Sequence, residues 1–363
     1  MSAVYIHIPY CKSKCYYCSF YSETDYSSFG NYKKALLKEI KYRAKQNPNT
    51  KIDTIYFGGG TPSLLSQKDF CEILDCVKKS FTVVGSAEIT LEVNPDTVEG
   101  GIINDLLTQE LINRISLGVQ THDDKLLHDL GRLHNFSKVK NSLDIIKCAN
   151  ISIDVMFGLP NQDEKSVLET LEEITKSHKV KHISLYALSI EKDTVFEKRG
   201  STTDPDLQAD LYDVCVAYLE KKGFNRYEVS NFAKKGFESR HNQKYWNREN
   251  YFGFGASAHS FINGVRYENS PTIAEYIKDP SKNKEIILTK DDIIKEIIML
   301  SLRTSKGLDL HKLKKQTGYD LLTLKQKEVD ELIKHNLTAL KNNTIKLTHR
   351  AYFIQNAIAV KLL

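Results

Sequence analysis

The sequence contains no run of apolar residues that approaches the roughly 20 needed to cross a membrane. Its first residues also lack the basic stretch followed by an apolar one that marks a secretory leader. We therefore expect a cytoplasmic protein whose association with a membrane is at most peripheral.

An excess of charge of one sign is also missing. The 51 Lys and Arg residues exceed the 46 Asp and Glu residues by only five, and they are dispersed along the chain. Proteins that bind nucleic acid usually concentrate positive charge on one face, so we expect no nucleic-acid partner. The small positive balance still permits a favourable encounter with an anionic ligand.

The seven cysteines do not form a pattern typical of a disulfide framework. Their number is odd, and four of them, Cys71, Cys76, Cys148 and Cys215, are scattered. Free thiols are typical of a reducing compartment, which agrees with a cytoplasmic location.

The other three cysteines, Cys11, Cys15 and Cys18, follow a short apolar run in the spacing CxxxCxxC. Thiolates are soft ligands, and three on one loop can surround a compact metal centre. An iron–sulfur cubane normally takes four thiolates, so three favour a 4Fe–4S cluster with one iron open to another ligand. Zinc, a disulfide pair and a chance cluster remain alternatives. Zinc would need a fourth ligand, but Phe20 occupies the position of a further thiolate and His7 precedes the loop.

Short β-rich runs alternate with amphipathic helical patterns through the first half of the chain. Strands are predicted at 4–9, 52–57, 87–93, 114–119, 151–156 and 182–188. Helices are predicted at 32–45, 67–80, 102–109, 123–130, 137–148 and 164–177. Six βα repeats indicate an α/β fold with a parallel sheet, either open and doubly wound or barrel-like.

Unusual residues follow five of these strands, and their placement favours the barrel. They are the cysteine loop, the glycine-rich turn 58–62, Glu92, Gln120 and Asp154. A barrel gathers all strand carboxyl ends around one mouth, whereas an open sheet spreads them along an edge. Three glycines in the turn permit close backbone approach to a small polar ligand.

The second half of the chain has a different organisation, and at 363 residues two units are expected. A helix is predicted at 205–223 and a strand at 227–232. Residues 1–268 are predicted to form the core with its extension, and 269–284, rich in Pro, Asn, Asp and Lys, to form a linker. Residues 285–363 are predicted to form a mainly helical, winged-helix-like domain with a hairpin around Asn342 and Asn343. Its balanced charge favours a lid or packing module over a DNA-binding one.

Six motifs together resemble the radical SAM superfamily, in the branch of oxygen-independent coproporphyrinogen III oxidases and HemW heme chaperones. They are YIHIPYCKSKCYYC at 5–18, GGGTPS at 58–63, LEVNP at 91–95, SLGVQ at 116–120, LGRLH at 130–134 and DVMFGLP at 154–160. The resemblance implies a partial (β/α)6 TIM-like barrel. It also implies that Cys11, Cys15 and Cys18 hold a 4Fe–4S cluster, and that S-adenosylmethionine (SAM) binds the fourth iron.

The resemblance further assigns residues to SAM. It implies that Tyr5 lines the adenosyl group and that Gly59, Gly60 and Thr61 contact the methionine end. Glu92 is assigned to the ammonium or ribose region. The remaining assignments, to the ribose and the carboxylate, are Gln120, Arg132 and Asp154. These residue types suit the chemistry, because carboxylates bind ammonium groups and diols while Arg binds carboxylates through two hydrogen bonds.

Two features favour the heme chaperones over the oxidases. The oxidases carry a further cysteine where Phe20 stands here and an N-terminal extension, whereas ten residues precede Cys11. The stretch from His241 to Trp246, the only tryptophan, matches the HNxxYW pattern of the HemW branch. His241 is a candidate heme ligand, although the motif could instead brace the barrel mouth. The resemblance thus implies a monomeric or dimeric chaperone that delivers heme to respiratory proteins, with coproporphyrinogen III oxidation as the alternative.

Overall fold

A computed structural model describes residues 1–99 and 101–363. Its first half alternates strands with helices. The strands are β1 (Ser2–Ile8), β2 (Lys51–Gly59), β3 (Thr82–Val93), β4 (Arg114–Gln120), β5 (Ile151–Phe157) and β6 (Val180–Ala187). The helices are α1 (Phe29–Gln46), α2 (Gln67–Ser80), α3 (Ile103–Thr108), α4 (Asp124–Asp129), α5 (Phe136–Ile145) and α6 (Glu164–Thr175). Strands β1, β4 and β5 are buried nearly throughout, as expected of a parallel sheet covered by helices.

Strands β1 to β6 lie in chain order, and each is parallel to the next. All six carboxyl ends therefore meet at the same side of the sheet, as in a barrel. The sheet does not close, because β1 pairs on its other side with β9 (Tyr251–Phe254) and β6 pairs with β8 (Asn231–Ala233). The predicted α/β fold with a partial barrel is confirmed.

The segment after β6 extends the sheet at both ends. Its elements are α7 (Val195–Lys198), α8 (Pro205–Lys221), β7 (Asn225–Glu228), β8, α9 (Arg240–Trp246), β9, β10 (His259–Ile262) and β11 (Val265–Asn269). The prediction of a single strand at 227–232 is wrong. The chain reverses at Val229 and Ser230, because the Glu228 carboxylate accepts the Ser230 N–H and β7 then pairs antiparallel with β8.

The segment 269–284, expected as a linker, has regular structure. It contains α10 (Ile273–Lys278) and the start of β12 (Asn283–Ile287), which pairs antiparallel with β11. Buried Glu39 on α1 accepts hydrogen bonds from Asn269 Nδ2 at 2.8 Å and Tyr276 Oη at 2.5 Å. These bonds anchor the segment to the core, while a domain boundary here stays a prediction.

The last part of the chain folds into helices around a small antiparallel sheet. Its elements are α11 (Lys290–Arg303), β13 (Leu308–Asp309), α12 (Leu310–Thr317), α13 (Leu321–Lys334), β14 (Thr338–Lys341), β15 (Thr344–Leu347) and α14 (Gln355–Lys361). Helix α11 contacts β7 at one end of the large sheet and β11, the strand next to its other end. Its Arg303 pairs with Glu228 of β7 at 3.0 Å, and its Glu296 pairs with Arg266 of β11 at 2.5 Å. Throughout 1–99 and 101–363, every helix is too short or too polar to span a lipid bilayer.

Candidate functional site

The loop that carries the three cysteines lies at the carboxyl end of β1. Backbone hydrogen bonds fix it on both sides, with Cys11 N bonded to Glu23 O at 3.0 Å and Cys18 N to Cys15 O at 3.1 Å. All three cysteines are half-buried free thiols. Burial raises the pKa of the Cys18 thiol, so a cationic partner is needed to keep it ionised.

Neighbouring loops donate hydrogen bonds to two of these sulfurs. Thr61 Oγ1 lies 3.5 Å from Cys11 Sγ, and Arg132 Nη1 lies 3.6 Å from Cys15 Sγ. Within the described part of the chain, no three His, Cys, Asp or Glu side chains converge closely enough to hold a single metal ion. A cluster makes a different demand, since each thiolate binds its own iron and the ligands need not meet at one point.

The glycine turn after β2 packs directly against β1. Gly60 N donates to Ile8 O at 2.9 Å, and Thr61 N donates to Tyr10 O at 2.8 Å. A Cβ atom on Gly60 would lie 2.5 Å from Tyr10 O, so no other residue fits there without moving backbone. The amide of Gly59, in a left-handed conformation with φ of 110°, is turned to Glu92. The sequence predicted that these glycines let the backbone approach a ligand, which stays a prediction; the observed close approach is to the backbone of Ile8 and Tyr10.

Glu92 on β3 and Asp154 on β5 face one polar cavity of about 60 Å³ inside the barrel. Glu92 accepts hydrogen bonds from Tyr56 Oη at 2.8 Å and Gly59 N at 3.1 Å, and Asp154 accepts one from Ser116 Oγ at 3.3 Å. Burial raises the pKa of Glu92 to about 7 and that of Asp154 to about 6. A ligand with a positive charge or a diol would favour their ionised forms.

Arg132 connects this region to the cysteine loop. Its Nη2 donates to Asn94 Oδ1 at 2.7 Å and to Gly118 O at 2.6 Å. Its Nε is buried and lacks an acceptor within the described residues. Gln120, whose φ is 73°, places its side-chain amide beside Gly118, as Arg132 does. A Cβ atom on Gly118 would lie 3.1 Å from Gln120 Nε2 and 3.2 Å from Arg132 Nη2.

Tyr5 on β1 completes the group. Its hydroxyl lies 3.1 Å from His7 Nδ1, and its ring stacks on Tyr56 at 6.1 Å. A Cβ on Gly58 would lie 3.0 Å from both the Tyr5 ring and Glu92 Oε1, so these side chains enclose the same backbone. The structure thus places the predicted residues in two connected groups. Thr61 and Arg132 contact the cysteine sulfurs, with Gly60 and Gln120 beside them, whereas Tyr5, Gly59, Glu92 and Asp154 lie around the cavity inside the barrel.

The sequence analysis did not assign roles to Asn94, Gly118 or Tyr56, which also form this region. Asn94 and Gly118 lie inside motifs LEVNP and SLGVQ, so the motifs themselves carried the signal. Tyr56 precedes the glycine turn by two residues, and nothing local distinguishes it from a packed strand tyrosine.

His241 lies apart from the cysteine loop, on α9 against the barrel wall. It is 1% exposed, with Nδ1 2.9 Å from Thr54 Oγ1 and Nε2 2.8 Å from Tyr245 Oη. Its ring stacks on Tyr56 at 5.0 Å. Burial lowers the pKa of His241 to about 3, so the imidazole is neutral. The expectation that it ligates heme gains no support, because both ring nitrogens already have partners; bracing of the barrel agrees better with its position.

Comparisons with known proteins agree with this architecture. The model of the radical SAM superfamily matches residues 5–174, and that of the HemN C-terminal domain matches residues 288–354. The solved structure of the coproporphyrinogen III oxidase HemN from Escherichia coli superposes with a TM-score of 0.86, over 99% of this chain and 90% of that one. Its sequence identity is 22%, so this likeness shows the fold alone.

Relatives match over nearly their whole length. The heme chaperone HemW of Lactococcus lactis is 34% identical over all of this chain and 97% of its own, and that of Bacillus subtilis is 33% identical over 99% and 98%. The mitochondrial radical S-adenosyl methionine domain-containing protein 1 of Mus musculus is 30% identical over all of this chain and 87% of its own. The chain therefore belongs to the radical SAM superfamily and, within it, to the family of the heme chaperone HemW.

Proposed function

We propose that this chain is a heme chaperone that carries a 4Fe–4S cluster and binds SAM beside it. The observation that carries the proposal is its similarity, over the whole chain, to relatives named heme chaperone HemW. Because the match includes the C-terminal residues as well as the barrel, it concerns the complete arrangement rather than the shared fold.

The cysteine loop fits the cluster that the superfamily implies. Cys11, Cys15 and Cys18 are free thiols on one loop, and Thr61 and Arg132 donate hydrogen bonds to two of the sulfurs. When bound, the cluster supplies one-electron chemistry to the sulfonium of SAM. The loop itself restricts the access of water, since its cysteines are half-buried.

The strand ends beside the loop fit SAM. Arg132 has a buried Nε without an acceptor in the described chain, and a ligand carboxylate would satisfy it. Glu92 and Asp154, held partly protonated by burial, would become ionised beside an ammonium group or ribose hydroxyls. Tyr5 supplies an aromatic wall, and the turn at Gly59 and Gly60 lets the backbone approach the ligand. The remaining proposed contacts are Thr61 and Gln120.

Heme is the proposed cargo, and heme-accepting respiratory proteins are its proposed recipients. His241 is not part of the proposed heme site, because its two nitrogens are bonded to Thr54 and Tyr245 and its ring is stacked on Tyr56. We therefore expect the variant His241→Ala to bind heme, although it disturbs the packing of Tyr56 beside Glu92.

Oxidation of coproporphyrinogen III is the second candidate. One observation favours it, the superposition on E. coli HemN over 99% of this chain. The same barrel can serve different substrates, so a fold match at 22% identity gives this candidate less support than the heme chaperones give the first.

One anaerobically reconstituted sample tests both functions. Heme is titrated and followed by its absorbance, and in parallel coproporphyrinogen III is incubated with the protein, SAM and a reductant. We expect stoichiometric heme binding and no protoporphyrinogen by chromatography. The variant Cys15→Ala should lose iron and sulfide, while Cys71→Ala, on helix α2, should keep both.

Two outcomes would contradict the proposal. Formation of protoporphyrinogen would establish the oxidase, and full iron and sulfide in Cys15→Ala would remove the cluster from this loop. His241→Ala is titrated with heme as well. Complete loss of heme absorbance in this variant would show that His241 belongs to the heme site.

A further inference from the structure

Helix α9, which carries the HNxxYW motif, is fixed to the two strands that present Tyr56 and Glu92. The backbone N–H of His241 donates to Glu88 Oε1 on β3 at 3.0 Å. The ring of His241 bonds to Thr54 on β2 at 2.9 Å. Glu88 precedes Glu92 by four residues and Thr54 precedes Tyr56 by two, so the helix is attached to the same two strands, about 13 Å and about 7 Å before these side chains.

The ring of Tyr56 is held between aromatic neighbours. His241 stacks on it with a centroid distance of 5.0 Å and an angle of 29°, and Tyr5 stacks at 6.1 Å and 26°. The Tyr56 hydroxyl then donates to Glu92 Oε1 at 2.8 Å. Tyr245 keeps the imidazole in place through its hydroxyl, 2.8 Å from Nε2. A continuous set of contacts thus runs from the motif to the carboxylate.

We propose that His241 and Tyr56 are positioning residues for the SAM site: His241 fixes the ring of Tyr56, and the Tyr56 hydroxyl orients Glu92 toward the ligand. The inference rests on the proposed function in one respect, that Glu92 contacts SAM. It gives the HNxxYW motif a task at the SAM site that requires no contact with heme.

The chemistry of Glu92 explains why its orientation needs a donor. Burial favours its neutral form, whereas the Tyr56 hydroxyl donates to the ionised form and so opposes the rise in its pKa. The second donor is Gly59 N, at 3.1 Å. Asp154 across the cavity raises the pKa further. Arg114 and His182 line the same cavity, and the phenols of Tyr5, Tyr186 and Tyr245 also face Glu92. Removing the Tyr56 hydroxyl would leave Glu92 more protonated and held by the Gly59 N–H alone of these two donors.

The test is SAM binding by Tyr56→Phe in the reconstituted protein, measured by calorimetric titration between pH 6 and 9. We expect about a tenfold weaker affinity at pH 7, since a hydrogen bond to a charged group is lost. The loss should shrink toward pH 9, where Glu92 ionises without the donor. Tyr212→Phe is the matched control, because it also removes a buried hydroxyl, bonded to Val229 O at 2.6 Å, but far from Glu92.

Variants of His241 separate positioning from general damage. His241→Phe keeps a ring to stack on Tyr56, so it should retain more affinity for SAM than His241→Ala. If both variants bind SAM more weakly to the same extent, stacking has no role. Affinity equal to that of the wild type in both variants would contradict the role as well. Iron and sulfide content, measured on each sample, should match wild type because none of these residues contacts the cysteine loop.

The outcomes distinguish this inference from the proposed function. Wild-type affinity in Tyr56→Phe across the whole pH range would overturn the inference and leave the proposed function intact. A wild-type protein with a complete cluster that binds no SAM would contradict the proposed function itself. Because Tyr56→Phe removes a single oxygen atom, it remains informative even if His241→Ala fails to fold.

Discussion

At the scale of single residues, two carboxyl groups share one small buried cavity, where ionisation of both is unfavourable. Glu92 and Asp154 line a space of about 60 Å³ that Arg114 also lines, and burial raises the pKa of each carboxyl group, to about 7 and about 6. In the absence of ligand, the folded protein holds protons that the unfolded chain releases. The site is therefore arranged for its ligand at the expense of stability.

We predict that Glu92→Gln stabilises the reconstituted, SAM-free protein at pH 8. The pKa of Glu92 in the folded protein is about 7, above its ordinary value of 4.5. The stability that protonated Glu92 contributes is therefore fully present below pH 4.5 and is lost as the pH rises through about 7. The gain at pH 8 should be on the order of 2 kcal/mol, discounted for water in the cavity, and it should vanish at pH 4.

The measurement is urea unfolding at the two pH values. Glu285→Gln, at an exposed position on β12, serves as control and should change the unfolding free energy by less than about 0.5 kcal/mol at either pH. Equal stabilisation by Glu92→Gln at pH 4 and pH 8 would contradict the prediction, because a protonated glutamate and a glutamine differ little in charge.

A second prediction concerns the backbone of the glycine turn. Gly60→Ala should weaken SAM binding by at least about tenfold and destabilise the protein by about 1–3 kcal/mol, because its Cβ would lie 2.5 Å from Tyr10 O and 2.9 Å from Ile8 O. Titration with SAM and thermal unfolding measure both effects. Gly85→Ala is the control, since no atom lies within 4 Å of its Cβ; comparable losses in both variants would refute a local clash.

These residues differ in how far the sequence could reveal them. The cysteines, the glycines and Glu92 each stand in a short motif at a strand end, and the resemblance that these motifs carry was enough to predict their roles. The partnership of Tyr56 with His241 joins residues 185 positions apart, and each resembles an ordinary packed side chain in its own segment. Only the packing of α9 on β2 reveals that His241 braces the wall instead of facing an open site.

At the scale of elements, the segment 269–284 illustrates the limit of composition as a guide. Its Pro, Asn, Asp and Lys residues predicted an open linker, but polar residues also suit β12, which pairs on one side only and leaves the other to solvent. The contacts that order α10 come from Glu39, on the first helix of the chain. By contrast, β1 to β6 carried strong local patterns and were predicted within two residues of their observed bounds, except that β3 begins at Thr82, five residues before the predicted start.

We predict that Tyr276→Phe destabilises the protein by about 1–3 kcal/mol, because buried Glu39 loses a donor. Burial raises the pKa of Glu39 to about 7, and the Tyr276 bond opposes that rise. The loss should therefore be larger at pH 8, where Glu39 ionises, than at pH 5. Urea unfolding at both pH values checks this, with half-exposed Tyr42→Phe as control. A loss independent of pH would point to packing alone.

At the scale of the whole molecule, the C-terminal residues are attached through α11. Arg303 pairs with Glu228, which is fully buried, and lies 4.5 Å from the Trp246 ring. Backbone bonds accompany this pair, from Val229 N to Arg303 O and from Ser305 N to Tyr227 O, both 3.0 Å. Of the two roles expected for this part of the chain, a packing module agrees better with these contacts than a lid.

Loss of this attachment should be measurable. We predict that Arg303→Met destabilises the protein by about 3 kcal/mol, because it leaves the buried Glu228 carboxylate without its cation. Guanidinium unfolding gives the value. Lys284→Met, which removes an exposed partner of Glu268, should cost less than about 1 kcal/mol. Similar costs for the two variants would show that Glu228 does not depend on Arg303.

The open sheet gives α11 a mechanical role. One end of the sheet reaches the helix through Glu228 and Arg303, and the strand next to the other end reaches it through Arg266 and Glu296. Between β1 and β6 each strand boundary is a ladder of backbone hydrogen bonds, whereas across the opening of the sheet the join consists of ion pairs and two backbone hydrogen bonds made by α11 and the residues directly after it. Tension on the C-terminal residues would thus part the molecule along this seam first, and leave the parallel strands that carry the cysteine loop and Glu92 intact.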